Sequence, residues 1–327
     1  MPQPPRQQGS RHFRRPSRPA VPTAFISHPS FLLHDMGPYH PECPGRLTAI
    51  GDRLIAAGID AYLQHYTAPA ATREQLARVH DTAYIDEIEA ASPDQGLHYI
   101  DPDTALCPHS LTAARHAAGA VVMGVDLVLA GECLTAFCAV RPPGHHAERR
   151  RAMGFCLFNN IAVGAAHALE HHGLERVAIV DFDVHHGNGT EDIFAGDERV
   201  LMVSTFQHPL YPYSGTNPMG ANMVNVPLAP GSGSEAFRRA VTEQWLPALE
   251  LHRPQLLFIS AGFDAHREDP LAELKLVDAD YAWVTRELIG VAARHGNGRV
   301  VSALEGGYAL SALGRAAAEH VREFVGA

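Results

Sequence analysis

The chain has 327 residues, of which 46% are hydrophobic, and it carries 26 basic against 36 acidic residues. These values are typical of a globular protein of one or two domains. Five of the arginines lie within residues 1–20, which contain no acidic residue, so the rest of the chain has 21 basic and 36 acidic residues, a balance of −15. A body with that charge repels nucleic acid, so we do not expect direct DNA binding, except through the basic residues 1–20.

The composition also predicts where the domain lies and in which compartment it works. We expect residues 1–20 to be a disordered basic tail and residues 21–327 to form a single domain. The tail lacks the apolar stretch of a secretory signal, and no uninterrupted apolar run reaches the roughly 20 residues of a membrane helix. The five cysteines are odd in number and form no C-x-x-C pair. These features predict a reduced, cytoplasmic protein with no membrane partner.

Apolar runs that are typical of buried strands alternate with helical patterns along the chain. Strands are predicted at residues 134–140, 176–180, 199–204, 255–263 and 298–304. Helices are predicted at residues 111–130, 160–171, 234–252, 278–295 and 311–325, with Ser234 and Asp278 as N-caps. The alternation predicts an α/β fold built on one parallel sheet. Such sheets bind ligands at the carboxyl ends of their strands, and at least four of the predicted strands run into polar clusters there.

One polar cluster follows the strand at residues 176–180. Asp183 and His185 are two residues apart in an extended segment, so their side chains point the same way. An isolated Asp-x-His pair more often caps a turn than binds a metal. Asp264, directly after the strand at residues 255–263, favours the metal site, because three protein ligands with an open fourth position are typical of catalytic zinc.

Other strand ends carry residues suited to acid and base chemistry. His145 and His146 follow a Pro-Pro-Gly turn and suit a general base and a charged partner, although the chain has 21 histidines and such pairs are often surface residues. Asp181 is placed to accept a hydrogen bond from a histidine, or else to bind backbone donors. Tyr308 follows two glycines and is placed to donate to a developing oxyanion, although a Gly-Gly-Tyr alone is an ordinary turn.

These segments together resemble the histone deacetylase family, in order and in spacing. They are "GPYHPECPGRL", "RPPGHHAE" with "MGFCLFNN", "DFDVHHGNGTEDIF", "SAGFDAH" with "DP", and "EGGY". The resemblance covers the chain from about Pro22 onward and implies the arginase/deacetylase fold, with a central, mostly parallel eight-stranded sheet. Asn188 is similar to the class II branch, since the class I branch carries aspartate at that position.

The resemblance implies one zinc ion per chain, bound by Asp183, His185 and Asp264. It also implies that His146 is the general base and that His145 is its electrostatic or acid partner.

Further roles follow from the same resemblance. Asp181 would orient His145, Asn188 would contact His146, and Tyr308 would polarise the scissile carbonyl. A structural potassium site would use Asp181, Asp183, His185, Ser204 and Thr205.

An acyl-lysine tunnel is also implied. Gly154 and Phe155 match one of its walls, and Tyr211 matches the other, where the family usually has phenylalanine. Leu271 stands seven residues after Asp264, where the polyamine-specialised branch tends to have glutamate. Loss of that anionic side chain disfavours a polycationic substrate.

Three weaker features concern substrate and metal count. Arg149, Arg150 and Arg151 predict a basic rim, or a solvated charge run, and Asp101 or Asp103 is a candidate to hold a substrate backbone. The two-metal arginase relatives carry additional carboxylates where this chain has Gly187 and His266, which favours one ion.

The predicted function is that of a zinc-dependent amidohydrolase. It would remove acyl (acetyl) groups from lysine side chains or similar acylated amines through metal-activated water. The alternative is a small-molecule deacetylase such as an acetylpolyamine amidohydrolase. A catalytically silent scaffold is a further alternative, but none of the ligand residues nor Tyr308 has been lost. The oligomeric state, monomer or homo-oligomer, stays open.

Overall fold

The computed structural model describes residues 22–326, so the predicted tail lies outside the described residues. Strands are present at β1 Thr23–Ser27, β2 Leu63–Thr67, β3 His98–Asp101, β4 Thr104–Leu106, β5 Thr135–Cys138, β6 Val177–Asp181, β7 Val200–Gln207, β8 Met223–Leu228, β9 Leu256–Ala261 and β10 Val300–Leu304. Eight of them form one sheet in the order β2-β1-β5-β10-β9-β6-β7-β8, and every pairing in it is parallel. The predicted parallel sheet is confirmed, and β3 and β4 form a separate antiparallel hairpin.

Helices flank the sheet. They are α1 Gly45–Ala56, α2 Arg73–Ala77, α3 Thr82–Ala91, α4 Ser110–Ala130, α5 Asn160–Glu170, α6 Asn188–Phe194, α7 Ser234–Ala240, α8 Leu246–His252, α9 Asp278–His295 and α10 Leu310–Val325. Short 3₁₀ turns cover Pro29–Leu32 and Asp60–Tyr62. The predicted helix at residues 234–252 is interrupted, because a π-helical turn at Val241–Trp245 separates α7 from α8.

The prediction of Ser234 and Asp278 as N-caps was wrong by one position. Gly233 and Val277 hold the cap positions with extended backbone, and each predicted cap is the first helical residue. The Ser234 hydroxyl instead donates to Oδ2 of Asp280, 2.6 Å away. The Ser234 side chain, which the local sequence predicts to cap α7, therefore makes a tertiary contact between α7 and α9 instead.

Helix α4 is the longest described helix and the most deeply packed. Its length and its mean hydropathy of 1.4 satisfy the criteria for a membrane span, but 67% of that window is buried inside the protein. It packs against α5 and against β1, β5 and β10. These contacts are typical of a core helix that packs on one face of the sheet.

The central strands explain why the polar residues collect at one edge. Every residue of β5, β6, β9 and β10 is buried, so the helices cover both faces of the sheet. The polar side chains that directly follow these strands therefore lie together at the carboxyl edge of the sheet. That edge contains the candidate site.

Candidate active site

Asp183, His185 and Asp264 converge at the carboxyl ends of β6 and β9. Nδ1 of His185 lies 3.1 Å from Oδ1 of Asp183 and 3.2 Å from Oδ2 of Asp264. Each of the three side chains has one ligand atom within 4.8 Å of the others. Backbone amides aim both carboxylates, since Gly306 donates to Asp183 at 2.8 Å and Val184 donates to Asp264 at 2.9 Å. The sequence-predicted ligands are therefore brought together.

The surroundings of this trio fit a divalent cation. Oδ2 of Asp264 is buried and is not aligned for a hydrogen bond, although Nδ1 of His185 lies 3.2 Å away. Burial together with Asp183 raises the pKa of Asp264 to about 6. Two glycines leave the carboxylates room, because a Cβ at Gly262 or at Gly306 would lie 2.0 Å from a carboxylate oxygen. Two carboxylates and one imidazole form a donor set that suits zinc in a catalytic site.

The geometry supports one ion in preference to two. Gly187 has no side chain to contribute, and a Cβ there would lie 2.4 Å from Oδ2 of Asp181. The His266 ring is turned toward Asp278, with Nε2 3.1 Å from Oδ1. Neither residue supplies a carboxylate to a second ion.

The two adjacent histidines have partners of different charge. Nδ1 of His145 donates to the Asp181 carboxylate at 2.9 Å, whereas Nδ1 of His146 donates to the amide oxygen of Asn188 at 2.7 Å. Burial opposes a charge on His145, but Asp183 and Asp181 outweigh it and raise its pKa well above the ordinary value. Burial, reinforced by the neighbouring His145, holds the pKa of His146 well below the ordinary value. The surroundings therefore favour the charged form of His145 and the neutral form of His146.

Two buried carboxylates that were not predicted as site residues hold the catalytic loops in place. Oε2 of Glu305 accepts from the backbone amides of Gly144, at 2.6 Å, and His145, at 3.1 Å. Oδ2 of Asp269 accepts from the amides of Tyr308, at 2.6 Å, and Ala309, at 3.1 Å. Burial raises the pKa of Glu305 to about 7. The available signal was their position in the "EGGY" and "REDP" segments, directly at or near strand ends.

A buried ion network also went unpredicted. The Arg46 guanidinium lies 4.9 Å from the centre of the Tyr308 ring, and its Nε donates to the Gly307 carbonyl at 2.7 Å. Glu42 pairs with Arg46 at 3.1 Å and accepts from Arg141 at 2.7 Å. All three charged residues are 0% exposed. Through these contacts Arg46 fixes the Tyr308 loop. Removing one partner of the network would leave an uncompensated buried charge.

A cavity of about 200 Å³ leads to the trio. Its lining comprises Asp103, His146, Gly154, Phe155, His185, Leu210, Tyr211, Leu271 and Tyr308. All four predicted tunnel residues line it, and Leu210 is an addition. Gly154 has φ of +57°, and a Cβ there would lie 2.4 Å from the His146 ring, so glycine is required. The Tyr211 hydroxyl is buried without a protein partner.

The cavity rim differs from the basic rim that the sequence predicted. Asp101 pairs with Arg151 at 3.0 Å, and Arg150 pairs with Asp81 at 2.5 Å. The Arg149 side chain donates to a backbone carbonyl of α6. Two of the three arginine charges are thus compensated. Of the two aspartates that the sequence offers to hold a substrate backbone, it is Asp103 that lines the cavity.

Three of the five predicted potassium residues lie on two neighbouring strands, and the other two, Asp183 and His185, follow the first of these strands. Asp181 at the end of β6 pairs in register with Ser204 on β7, and Thr205 follows. All three are buried. The Ser204 hydroxyl donates to Oδ1 of Asn225 at 3.3 Å. The alkali-ion site stays a prediction.

Comparisons with known proteins agree with this architecture. Residues 40–324 match the family model described as "Histone deacetylase domain". A "Histone deacetylase-like amidohydrolase" of Pseudomonas aeruginosa is 39% identical over 88% of this chain and 81% of that protein. The "Polyamine deacetylase HDAC10" of Mus musculus is 36% identical over 93% of this chain and 48% of that protein. The solved HDA15 HD domain superposes with a TM-score of 0.87 at 35% identity, covering 94% of this chain and 90% of that one, which confirms the arginase/deacetylase fold. The chain belongs to the histone deacetylase family.

Proposed function

We propose that the protein is a zinc-dependent amidohydrolase that removes acyl groups from lysine side chains or similar acylated amines. The observation that carries the proposal is the convergence of the Asp183, His185 and Asp264 trio with His146 and Tyr308 around one narrow cavity. The relatives named as a histone deacetylase-like amidohydrolase and a polyamine deacetylase support the same class of reaction. We further propose that the enzyme is cytoplasmic and consists of one catalytic domain.

Each metal role follows from the donor chemistry of the site. A divalent ion held by Asp183, His185 and Asp264 would polarise the amide carbonyl and lower the pKa of a water molecule. Potassium is proposed beside Asp181 and Ser204, where a buried carboxylate and a hydroxyl stand on adjacent strands.

His146 is the proposed general base. Its Nδ1 carries the proton that it donates to Asn188, so Nε2 is free to accept a proton. Because burial and His145 keep the ring neutral, it can take a proton from the attacking water.

Tyr308 and His145 act on the other atoms of the amide. Burial raises the pKa of Tyr308 well above the ordinary value despite the opposing charge of Arg46, so the phenol keeps its proton and donates to the carbonyl oxygen as charge develops. His145, held charged by Asp183 and Asp181, stabilises the buried negative charge. The proton that His146 has taken from the water passes to the amine nitrogen as the bond between that nitrogen and the carbonyl carbon breaks. The products are a carboxylate and a free amine.

Replacing Asn188 with aspartate is expected to move the acidic limb of the kcat/KM profile to higher pH. A carboxylate at this position would favour the charged form of His146 and so raise its pKa. A base with a raised pKa is protonated, and inactive, at pH values where the wild-type base is neutral. The measurement is a pH profile of both proteins on one acetyl-lysine peptide. An unchanged acidic limb would contradict the role of His146 as the base.

The test of the proposed function is hydrolysis of an acetyl-lysine peptide by the purified protein, with and without a hydroxamate chelator, beside acetylputrescine. Peptide turnover that the hydroxamate abolishes is the expected result. No hydrolysis of either substrate by protein with zinc bound would contradict the acetyl specificity, and longer acyl chains would then be assayed. Turnover that is insensitive to metal removal would contradict the metal mechanism.

A polyamine deacetylase is the second candidate, favoured by the similarity to the mouse protein of that name. Leu271 argues against it, because this apolar side chain lines the cavity. Leu271→Glu is therefore expected to raise the ratio of acetylputrescine to peptide kcat/KM, since the new carboxylate attracts a cationic substrate. Leu271→Gln is the control of equal size without the charge. Equal ratios in the two variants would show that charge at this position does not select the substrate.

A further inference from the structure

A second group of potential metal ligands lies at the C-terminal end of α5. His167 is in its last turn, and His171 and His172 follow directly. Each histidine has one ring nitrogen within 4.8 Å of the corresponding atoms of the other two. The spacing of four residues stacks the His171 ring on the His167 ring, with centroids 4.7 Å apart.

A carboxylate from the neighbouring helix contacts two of these three histidines. Oδ1 of Asp126, on α4, accepts from Nε2 of His167 at 2.8 Å and from Nε2 of His172 at 2.7 Å. Two imidazoles, from the end of α5 and the residues after it, therefore already point at one oxygen of a side chain on α4. The C-terminal end of a helix also carries a partial negative charge, which favours a cation there.

Solvent can reach this group, and none of its residues belongs to the catalytic site. The side chains of Asp126 and His172 are 51% and 26% exposed, while that of His167 is 4% exposed. A buried ligand with exposed neighbours gives an ion an entry path and a fixed anchor.

We propose that His167, His171, His172 and Asp126 form a second metal site, for a borderline divalent ion such as Zn²⁺, Ni²⁺ or Cu²⁺. Imidazole nitrogens suit these three ions, and three nitrogens with one carboxylate oxygen match the four-coordinate preference of zinc. The ion joins the end of α5 to α4 and so clips together two helices of the core.

Arg78 sets the strength of this site. Its Nη1 lies 3.0 Å from Nδ1 of His167. Because an arginine only donates, Nδ1 accepts, and the ring proton is on Nε2, where it faces Asp126. An ion at Nε2 displaces that proton, leaves the ring to be protonated at Nδ1 and breaks the Arg78 contact. The guanidinium therefore weakens binding, and Arg78→Met is expected to strengthen it.

The test measures zinc binding by the full chain. Zinc content is determined after equilibration with a zinc-buffered solution, in the wild type and in Asp264→Ala, which removes a ligand of the catalytic trio. We expect two ions per wild-type chain and one in Asp264→Ala. His171→Gln combined with His172→Gln is expected to remove the second ion, and Asp126→Asn is expected to weaken it by roughly 10- to 100-fold. Adding Zn²⁺ to Asp264→Ala should raise its Tm, because the ion binds the folded state.

The matched control is His98→Gln, which replaces an exposed histidine on β3. It should bind zinc as the wild type does. Absence of bound zinc in Asp264→Ala would overturn the proposal, and so would a second ion that persists in the His171 and His172 double variant. Weaker binding by Arg78→Met would contradict the assignment of His167 as a ligand. Since the readouts are zinc content and Tm, they do not depend on deacetylase activity, which the double variant should retain.

Discussion

Tyr308→Phe is expected to lower kcat by about 100- to 1,000-fold, the cost of losing one donor to a developing oxyanion. The phenol lies at the cavity that leads to the proposed metal ligands. Phenylalanine keeps the ring that the Arg46 guanidinium contacts and the edge contact with Phe155, at 5.9 Å between centroids. The fold and the zinc content should therefore survive the change. The hydroxyl alone is removed.

The measurement is kcat and KM on an acetyl-lysine peptide, together with zinc content and Tm. Tyr62→Phe, at an exposed tyrosine of a 3₁₀ turn, is the control and should behave as wild type. A variant in which KM rises and kcat is unchanged would assign Tyr308 to substrate binding. Wild-type turnover would contradict its role altogether.

The sheet and the ligand trio were predictable because both depend on short-range patterns. A run such as residues 177–180 is apolar on both faces, which is typical of a buried parallel strand, and DFDVH follows at its end. Once several strands of one parallel sheet are recognised, their carboxyl ends must meet at one edge. Asp183 and Asp264 are 81 positions apart in the chain, yet this rule brings them together.

The supporting residues were not predictable in this way. Glu42 accepts from Arg141, 99 positions away, and nothing in the local sequence distinguishes these charges from solvated ones. Their buried charges are compensated by one another and by Arg46, which pairs with Glu42 and lies against the Tyr308 ring. Such pairings depend on how α1 packs beside the catalytic loops, which is tertiary information.

The rim illustrates the same limit. Asp101 and Asp103 are equivalent by sequence, as turn residues two positions apart. In the structure Asp101 lies in β3 and pairs with Arg151, whereas Asp103 lies in the turn before β4 and accepts from the Gly154 amide at 3.1 Å. The place where β3 ends and the turn into β4 begins decides which carboxylate faces the cavity, and the local sequence does not give that boundary.

Gly306→Ala is expected to remove the catalytic metal and to lower turnover by about 1,000-fold or more, equivalent to about 4 kcal/mol or more in activation free energy. The added Cβ would lie 2.0 Å from Oδ2 of Asp264 and 2.5 Å from Oδ2 of Asp183. Gly306 is absent from the positions with left-handed backbone, so the effect comes from this overlap and not from strain in φ. Gly51→Ala is the matched control, because a Cβ there meets nothing within 4 Å.

Zinc content and turnover of the two glycine variants distinguish displaced ligands from a damaged fold. If the carboxylates move away from the methyl group, Gly306→Ala should keep its cooperative unfolding but lose zinc, and added zinc should restore little activity. Wild-type zinc content and turnover would mean that the loop after β10 relaxes and that Gly306 is not required for the site. Because the backbone amide of Gly306 also donates to Asp183, the loop cannot retreat from the new methyl group without losing that hydrogen bond. The same residue therefore aims one carboxylate and leaves space for both.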